Sequence, residues 1–374
     1  MRAPPDETRA CPAVDVTQTV VVDARMLAYP LTGIGRYVLE LLTRLVRRPE
    51  THWVLLSARP IPETMRAAFT GAVEWIEGRP TQRAEWWTQR TAVRELTRRP
   101  GARFLGLASS VPFFGPRSSR YALVVYDLSS FVVPTRTHPS DFIKAVAVTL
   151  PSIWKADRLL AISPQVAAEL ARYIPGSRTR TTALPLGGTR LAVRAPEPFE
   201  RRHGFLAVGS YPRKNTGLLL QAYARLPEDV RARHPLAIVA RELPARLERR
   251  VRELSLSGSV RLVPDASDRE LGQLHSHCLA LVYPSPYEGL GLPVAEAILS
   301  GLPAIVAGDT PMERFLGGAG VIVRPLGEAT LSEAMQQLAS DQGLWERCVA
   351  NAARVAPTIS WDSVADATAR VLEL

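Results

Sequence analysis

The sequence has few cysteines, and their pattern excludes two classes of protein. Among 374 residues, cysteine occurs only at Cys11, Cys278 and Cys348. An odd, scattered set does not suit a disulfide-stapled secreted domain, and it lacks the paired spacing of a structural zinc site. We therefore expect a protein of the reducing cytoplasm that holds no metal.

Histidine adds no second pair of metal ligands. His275 and His277 lie two residues apart beside Cys278, with no ligand pair elsewhere at a suitable spacing. Leu271 and Leu274 indicate a helix here, in which the histidines are either exposed or packed against the core.

Long apolar runs are also missing, which excludes a membrane-spanning helix. No stretch approaches the roughly 20 apolar residues that such a helix needs. The first residues carry Asp6 and Glu7 and have no apolar core, so we expect residues 1–18 to be a flexible tail and not a secretory signal. Hydrophobic and charged contents of 46% and 22% are those of a globular protein.

Lysine is nearly absent, yet the chain carries a net charge of +10. Residues 1–195 contain 27 Lys and Arg against 15 Asp and Glu, whereas residues 196–374 contain 19 against 21. This asymmetry predicts an anionic partner for the first half, either nucleic acid or an anionic membrane surface. No nucleic-acid-binding motif accompanies the charge, so we expect no nucleic acid.

Short apolar runs alternate with helical patterns along most of the chain. This alternation predicts an α/β fold with parallel sheets, and the length suits two domains. We place the domains at 19–190 and 204–357. Between them, residues 191–203 gain proline and charge and lose periodicity, which indicates a linker.

The most informative stretch surrounds two glutamates, Glu288 and Glu296. An apolar run ending at Tyr283 predicts a buried strand before them. Glycines precede Pro293, and proline favours the first turn of a helix, so the helix should begin near Leu292. One carboxylate then lies in a loop at the carboxyl end of a strand and the other lies in the following helix, where open α/β sheets bind ligands.

The run from 284 to 303 resembles the signature of the retaining nucleotide-sugar glycosyltransferases of group 1. The resemblance implies two Rossmann-like domains that face each other across a cleft, the GT-B type of fold. It also implies that residues 358–374 cross back onto the first domain, which would receive the acceptor.

The resemblance assigns roles to both glutamates. It implies that Glu288 holds the hydroxyls of the donor sugar and that Glu296 holds the ribose of the nucleotide. Three residues that lie between the two glutamates would also contact the donor: Gly289, Leu290 and Gly291.

Two further segments are candidates for binding the donor's diphosphate. Gly33 and Gly35 follow the first strand, where backbone N–H groups and a helix start favour an anion; a tight turn with positive φ is the alternative. Residues 208–216 are similar to the family's first strand and loop of the nucleotide domain. Lys214, and after it Arg213, match the basic residues that hold the diphosphate there.

Tyr126 is the main departure from the family pattern. The family has His-Asp-Leu where this chain has Tyr126-Asp-Leu, and the resemblance implies a contact with the donor sugar beside the reacting carbon. Tyrosine can hydrogen-bond a sugar hydroxyl but does not serve as a near-neutral acid or base.

The stretch from Ala84 to Arg99 combines Trp86 and Trp87 with four arginines at helical spacing. A basic amphipathic helix with tryptophan can lie in a membrane interface. The family's helix at this place is partly buried, so core packing and membrane contact both stay open.

The function we favour is retaining, metal-independent transfer of a hexose from a nucleotide diphosphate sugar. The resemblance implies a mannose- or rhamnose-like sugar, a GDP donor over a UDP donor, no further cofactor, and a lipid-linked acceptor in bacterial surface polysaccharide synthesis. Such an enzyme would be cytoplasmic and peripheral to the inner face of the membrane. The alternatives are a sugar-nucleotide epimerase or hydrolase of the same architecture, and a donor-binding pseudoenzyme, which Tyr126 suggests.

Overall fold

Two parallel β-sheets flanked by helices form the framework of the protein, as the sequence predicted. The computed structural model describes residues 18–79, 83–133, 139–191, 197–210 and 214–374. The first sheet has the strand order β3-β2-β1-β4-β5-β6-β7 and the second the order β10-β9-β8-β11-β12-β13. Parallel neighbours require crossover connections, and helices supply most of them.

The strands of the two sheets have the following bounds. They are β1 (Gln18–Asp23), β2 (Thr51–Ser57), β3 (Val73–Glu77), β4 (Arg103–Gly106), β5 (Arg120–Val125), β6 (Arg158–Ala161), β7 (Thr181–Ala183), β8 (Phe205–Val208), β9 (Leu236–Ala240), β10 (Val260–Pro264), β11 (Ala280–Tyr283), β12 (Ala304–Ala307) and β13 (Gly320–Val323).

The helices have the following bounds. They are α1 (Gly33–Leu45), α2 (Glu63–Arg66), α3 (Ala84–Arg98), α4 (Ser129–Val132), α5 (Pro139–Lys144), α6 (Leu150–Lys155), α7 (Pro164–Tyr173), α8 (Thr216–Ala224), α9 (Glu228–Arg233), α10 (Ala245–Glu253), α11 (Asp268–His277), α12 (Leu292–Leu299), α13 (Pro311–Leu316), α14 (Glu328–Ser340), α15 (Gln342–Val355) and α16 (Trp361–Val371). None of these helices is both long and apolar enough to cross a membrane, among the residues described.

The chain divides into two compact units. The described part of Met1–Leu123 forms the first with Lys155–Asp157 and Ala369–Leu374, and Val124–Trp154 with Arg158–Thr368 forms the second. The domain boundaries inferred from the sequence stay a prediction.

Strand β1 leads into a buried arginine, Arg25. It ends at Asp23, because Arg25 opens a 3₁₀ turn and turns its guanidinium inward. The Nη2 atom of Arg25 lies 2.9 Å from Asp23 Oδ2 and donates to Ser110 Oγ at 2.7 Å, while Nη1 donates to Glu85 Oε2 at 2.7 Å. A buried cation needs such partners. Arg25 reaches them from the 3₁₀ turn that follows β1.

Both faces of β11 are covered, which explains its unbroken apolar run. Ala280 and Val282 belong to one core cluster, and Leu281 and Tyr283 belong to the cluster on the opposite face. Tyr283 is therefore held at the carboxyl end of the strand, with 2% of its surface exposed.

The joint between α11 and β11 contains a buried cation. Arg202 donates from Nη1 to the carbonyl oxygens of His275 (3.1 Å) and Cys278 (2.7 Å), and its guanidinium carbon lies 5.3 Å from the centre of the Trp345 ring. His275 is fully buried, and burial together with the charge of Arg202 lowers its pKa to about 4. His275 is thus a neutral core residue, whereas the partly exposed His277 pairs with Glu197 at 3.1 Å.

The depressed pKa of His275 predicts a loss of stability in acid. The unfolded chain takes up a proton near the ordinary pKa of about 6.5, whereas the folded protein resists until about 4. The free energy of unfolding should therefore fall between these pH values, by about 2–3 kcal/mol at pH 4 from this group alone. Denaturant unfolding of the His275→Phe variant, compared with wild type across this range, should show a shallower decline; equal slopes would contradict the assignment.

Candidate active site

The loop between β11 and α12 carries both candidate glutamates. Helix α12 begins at Leu292 with Pro293 in its first turn, which confirms the predicted start. Gly291 precedes it with φ +94°, a left-handed conformation that favours glycine. Glu288 lies in the loop and Glu296 in the helix, and both are buried, at 8% and 6% exposure.

Glu288 forms an ion pair with Lys214. Lys214 Nζ lies 2.6 Å from Glu288 Oε1, although the two residues are 74 positions apart. Ser285 Oγ donates to the same carboxylate oxygen at 2.7 Å, and the hydroxyl of Tyr283 donates to it at 3.2 Å. Three donors thus converge on one oxygen and fix the orientation of the carboxylate.

Tyr283 also holds the lysine. Lys214 Nζ donates to the Tyr283 hydroxyl and lies 4.7 Å from the centre of its ring, within the range of a cation–π contact. The ammonium group is thus placed between the Tyr283 side chain and the Glu288 carboxylate. The lysine side chain is 16% exposed, so the cation is positioned by the protein and still reached by solvent.

Sequence reasoning missed Tyr283 and Ser285 as parts of this site. One signal was available: Tyr283 ends a predicted strand, and Ser285 opens the loop that follows, at the edge where α/β sheets bind ligands. The contact with Lys214 depends on tertiary structure, and local sequence does not reveal it.

The segment that carries Tyr126 lies against the loop between β11 and α12, residues 284–291. We name this loop the donor loop, after the role predicted for Glu288. A Cβ atom added to Gly289 would stand 1.9 Å from the Tyr126 carbonyl oxygen, so only glycine fits there. Ser163, which caps α7, donates from Oγ to the Gly289 carbonyl at 2.6 Å. The buried Tyr126 is therefore fixed next to the loop of Glu288, where a donor contact was expected.

A second tyrosine ties this segment to the loop. The Tyr287 hydroxyl donates to Glu169 Oε2 at 2.7 Å and accepts from the Leu128 backbone N–H at 3.1 Å. Burial and the neighbouring Glu169 carboxylate raise the pKa of Tyr287 above its ordinary value. Tyr287 therefore stays protonated and serves as a fixed structural link.

The remaining predicted residues have different placements. Gly33 and Gly35 form the first turn of α1, and Thr32 Oγ1 accepts from the Gly35 N–H at 3.3 Å; they belong to the first compact unit. Leu290 is buried in the donor loop. Arg213 lies outside the described residues.

The chemical capacity of the site is the recognition of an anionic, hydroxyl-rich ligand. Lys214 supplies a cation for phosphate oxygens, and two buried carboxylates accept hydrogen bonds from hydroxyl groups. Within the described ranges, no group of three or more His, Cys, Asp or Glu side chains could hold a metal ion.

The second half of the chain is similar to known glycosyltransferases. Residues 193–355 match the model of the family described as Glycosyl transferases group 1. The chain is 28% identical to the O-antigen chain mannosyltransferase B of Escherichia coli, over 95% of this chain and 99% of that protein. It is 30% identical to the MMP alpha-(1->4)-mannosyltransferase of Mycolicibacterium hassiacum, over 58% of this chain and 53% of that protein.

Solved structures support the fold. The crystal structure of WaaG, a glycosyltransferase involved in lipopolysaccharide biosynthesis, matches with a TM-score of 0.75 at 17% identity, over 94% of this chain and 99% of that one. Anabaena HepE in complex with UDP and glucose matches with a TM-score of 0.73 at 15% identity, over 95% and 99% of the two chains. These likenesses show that the chain shares the α/β fold with two parallel sheets of those structures.

The close approach at Gly289 predicts a sharp difference between two glycine variants. Gly289→Ala must displace the Tyr126 backbone, so we expect a loss of stability of about 1–3 kcal/mol. Gly217→Ala is the matched control, because nothing lies within 4 Å of its added Cβ, and it should be neutral or slightly stabilising. Denaturant unfolding measures both, and equal stabilities would show that the loop does not contact Tyr126.

Proposed function

We propose that this chain, whose residues 193–355 match the model of the Glycosyl transferases group 1 family, is a retaining hexosyltransferase. It transfers a mannose- or rhamnose-like sugar from a nucleotide diphosphate donor to a growing bacterial surface glycan. The observation that carries the proposal is the Lys214–Glu288 pair at the carboxyl end of β11. The relationship to an O-antigen mannosyltransferase over nearly the whole chain supports the sugar and the acceptor class.

Lys214 offsets the charge that grows on the leaving diphosphate. As the bond between the anomeric carbon and the diphosphate oxygen breaks, negative charge develops on phosphate, and a fixed cation stabilises it most at that moment. Arg213 assists from the neighbouring position. Because protein cations supply this charge, the reaction needs no bound metal.

Glu288 and Glu296 divide the recognition of the donor. Glu288 accepts hydrogen bonds from the sugar hydroxyls, and Glu296 accepts them from the ribose. Backbone groups of Gly289, Leu290 and Gly291 contact the donor between them, and the helix start at Gly33 and Gly35 adds N–H donors for the diphosphate.

Retention follows from attack on the face that the diphosphate leaves. The acceptor hydroxyl bonds to the anomeric carbon while the bond to the diphosphate breaks, and its proton passes to a phosphate oxygen of the leaving group. No side chain has to act as a base, which makes Tyr126 compatible with activity. Tyr126 orients the donor sugar.

The acceptor is a lipid-linked glycan at the inner face of the cytoplasmic membrane. The excess of positive charge in residues 1–195 attracts an anionic lipid surface, and each basic residue near that surface adds about 1 kcal/mol. The protein is therefore cytoplasmic and peripheral to the membrane.

A panel of nucleotide sugars tests the donor assignment. GDP-mannose should raise the melting temperature more than UDP-, dTDP- or ADP-sugars, because a ligand at a hundredfold excess over its Kd stabilises by about 2.7 kcal/mol. No shift with any donor would contradict the proposal. Release of free sugar or an epimer without acceptor would instead show a hydrolase or an epimerase.

Substitution of the two glutamates should separate binding from transfer. Glu296→Ala should weaken nucleotide binding by about 1.5–3 kcal/mol, the contribution of a hydrogen bond to a charged group. Glu288→Ala should lower kcat for transfer more than it lowers affinity for the free nucleoside diphosphate. Calorimetry with GDP and initial-rate kinetics measure the two effects, and unchanged binding and activity in both variants would overturn the site.

The Tyr126 hydroxyl is tested by removing it alone. Tyr126→Phe should lower kcat/KM by roughly five- to tenfold, because one sugar hydrogen bond of about 1 kcal/mol is lost. Tyr126→His should retain appreciable transfer. Wild-type inactivity with every donor, together with activity in Tyr126→His, would identify a pseudoenzyme.

A further inference from the structure

One helical segment, from Pro139 to Lys155, exposes a row of large apolar side chains. It comprises α5, a π-helical turn over Ala145–Thr149, and α6. Nine large hydrophobic side chains are exposed in the described part of the chain, and four of them lie here. They are Phe142 (43% exposed), Ile143 (65%), Val146 (43%) and Trp154 (60%), which we name the apolar stripe.

The π turn reduces the drift of the stripe around the helix axis. Phe142, Val146 and Trp154 are spaced by multiples of four, and such side chains drift around an α-helix of 3.6 residues per turn. In the π turn the Leu150 N–H donates to the Ala145 carbonyl, so the turn holds more residues and cancels part of the drift. Pro151 gives the cause, since it has no N–H and its ring would clash with the carbonyl four residues earlier.

The stripe begins beside the candidate active site. The ring of Phe142 lies 6.3 Å from that of Phe131 in α4. Helix α4 follows directly on Leu128, whose N–H donates to Tyr287 of the donor loop at 3.1 Å. A short stretch of chain therefore connects the stripe to the loop that carries Glu288.

The size of the stripe favours a lipid surface over a protein partner. Four partly exposed side chains of this kind offer on the order of 400–500 Å² of apolar surface. A stable protein interface buries about 800 Å² on each partner. Insertion into the boundary between headgroups and acyl chains needs no such area, and it suits a stripe that ends in the exposed Trp154.

Charge points to insertion and not to electrostatic attraction at this surface. The exposed Lys144 is offset by the exposed Asp141 three residues earlier, so helix α5 carries no net charge. The basic helix α3 is also less available than its sequence suggested, because Arg94, Arg98 and Arg99 all bond to the buried Glu95. Apolar contact, which salt does not screen, is what the stripe can supply.

We propose that the apolar stripe inserts into the lipid surface of the membrane and holds the donor loop next to that surface. This inference rests on the proposed transfer to a lipid-linked acceptor. The basic residues of 1–195 supply an attraction to lipid that salt weakens. The stripe adds an anchoring contact that salt does not weaken.

The test is co-sedimentation with vesicles of phosphatidylcholine and phosphatidylglycerol at low salt and at about 0.5 M salt. The higher concentration is about five times the ionic strength at which the Debye length is about 10 Å, so it screens electrostatic attraction. Wild type should keep a measurable bound fraction at high salt. The double variant Ile143→Ser/Trp154→Ser should lower the high-salt partition coefficient at least tenfold. The matched control Ile322→Ser/Trp86→Ser removes two comparably exposed side chains, at 40% and 64%, and should bind like wild type.

Three results would overturn the proposal. Equal binding of the stripe variant and wild type would show that the stripe does not insert, and loss of binding only in the control would place the contact at Trp86 or Ile322. A wild-type dimer in light scattering that dissociates in the stripe variant would identify a second copy as the occupant.

Melting temperatures with and without donor, measured on every variant, establish that the fold and the donor site are intact. They therefore separate failure of this surface from failure of the proposed transferase.

Discussion

The structure of the candidate site depends on a partly buried pair of opposite charges, Lys214 and Glu288. Removing charges from water costs several kcal/mol each, and proximity repays this only when further hydrogen bonds complete the geometry. Ser285 and Tyr283 supply those bonds to the carboxylate. The two charges of the pair therefore satisfy each other, with hydrogen bonds from neighbouring side chains.

This pairing has a consequence for how a donor binds. In the proposed mechanism, a diphosphate takes over the Lys214 ammonium group, and sugar hydroxyls take over hydrogen bonds at Glu288. Because both partners are already placed, binding exchanges one set of charge-assisted contacts for another and requires little reorganisation. Electrostatic stabilisation of a transition state is effective under this condition. The same constraint explains why the loop is so firmly tied, through Gly289 to the Tyr126 segment and through Tyr287 to Glu169.

Local rules made much of the fold predictable. Ser163 followed by Pro164 marked the start of α7, and Pro293 marked the start of α12, because capping and the fixed φ of proline act over a few residues. The alternation of apolar runs with helical patterns indicated parallel sheets. The position of Glu288 and Glu296 after a buried strand indicated the edge of the sheet at which they lie.

Features that depend on distant contacts were not predictable. The inward turn of Arg25 requires Glu85 and Ser110, which lie 60 and 85 positions further along the chain. The role of Tyr283 requires its contact with Lys214, which lies 69 positions earlier in the chain. The apolar stripe has no amphipathic signal in the sequence, since its exposure is set by which faces the rest of the fold leaves uncovered.

The central claim, that Lys214 leaves Glu288 to bind the donor's diphosphate, can be measured directly because the chain has only three lysines. Heteronuclear NMR of the lysine Nζ groups should show three signals, of which one disappears in Lys214→Met. On addition of GDP-mannose, that signal should shift while those of Lys144 and Lys155 stay in place. An unchanged Lys214 signal under conditions in which donor binding is seen by thermal shift would contradict the account.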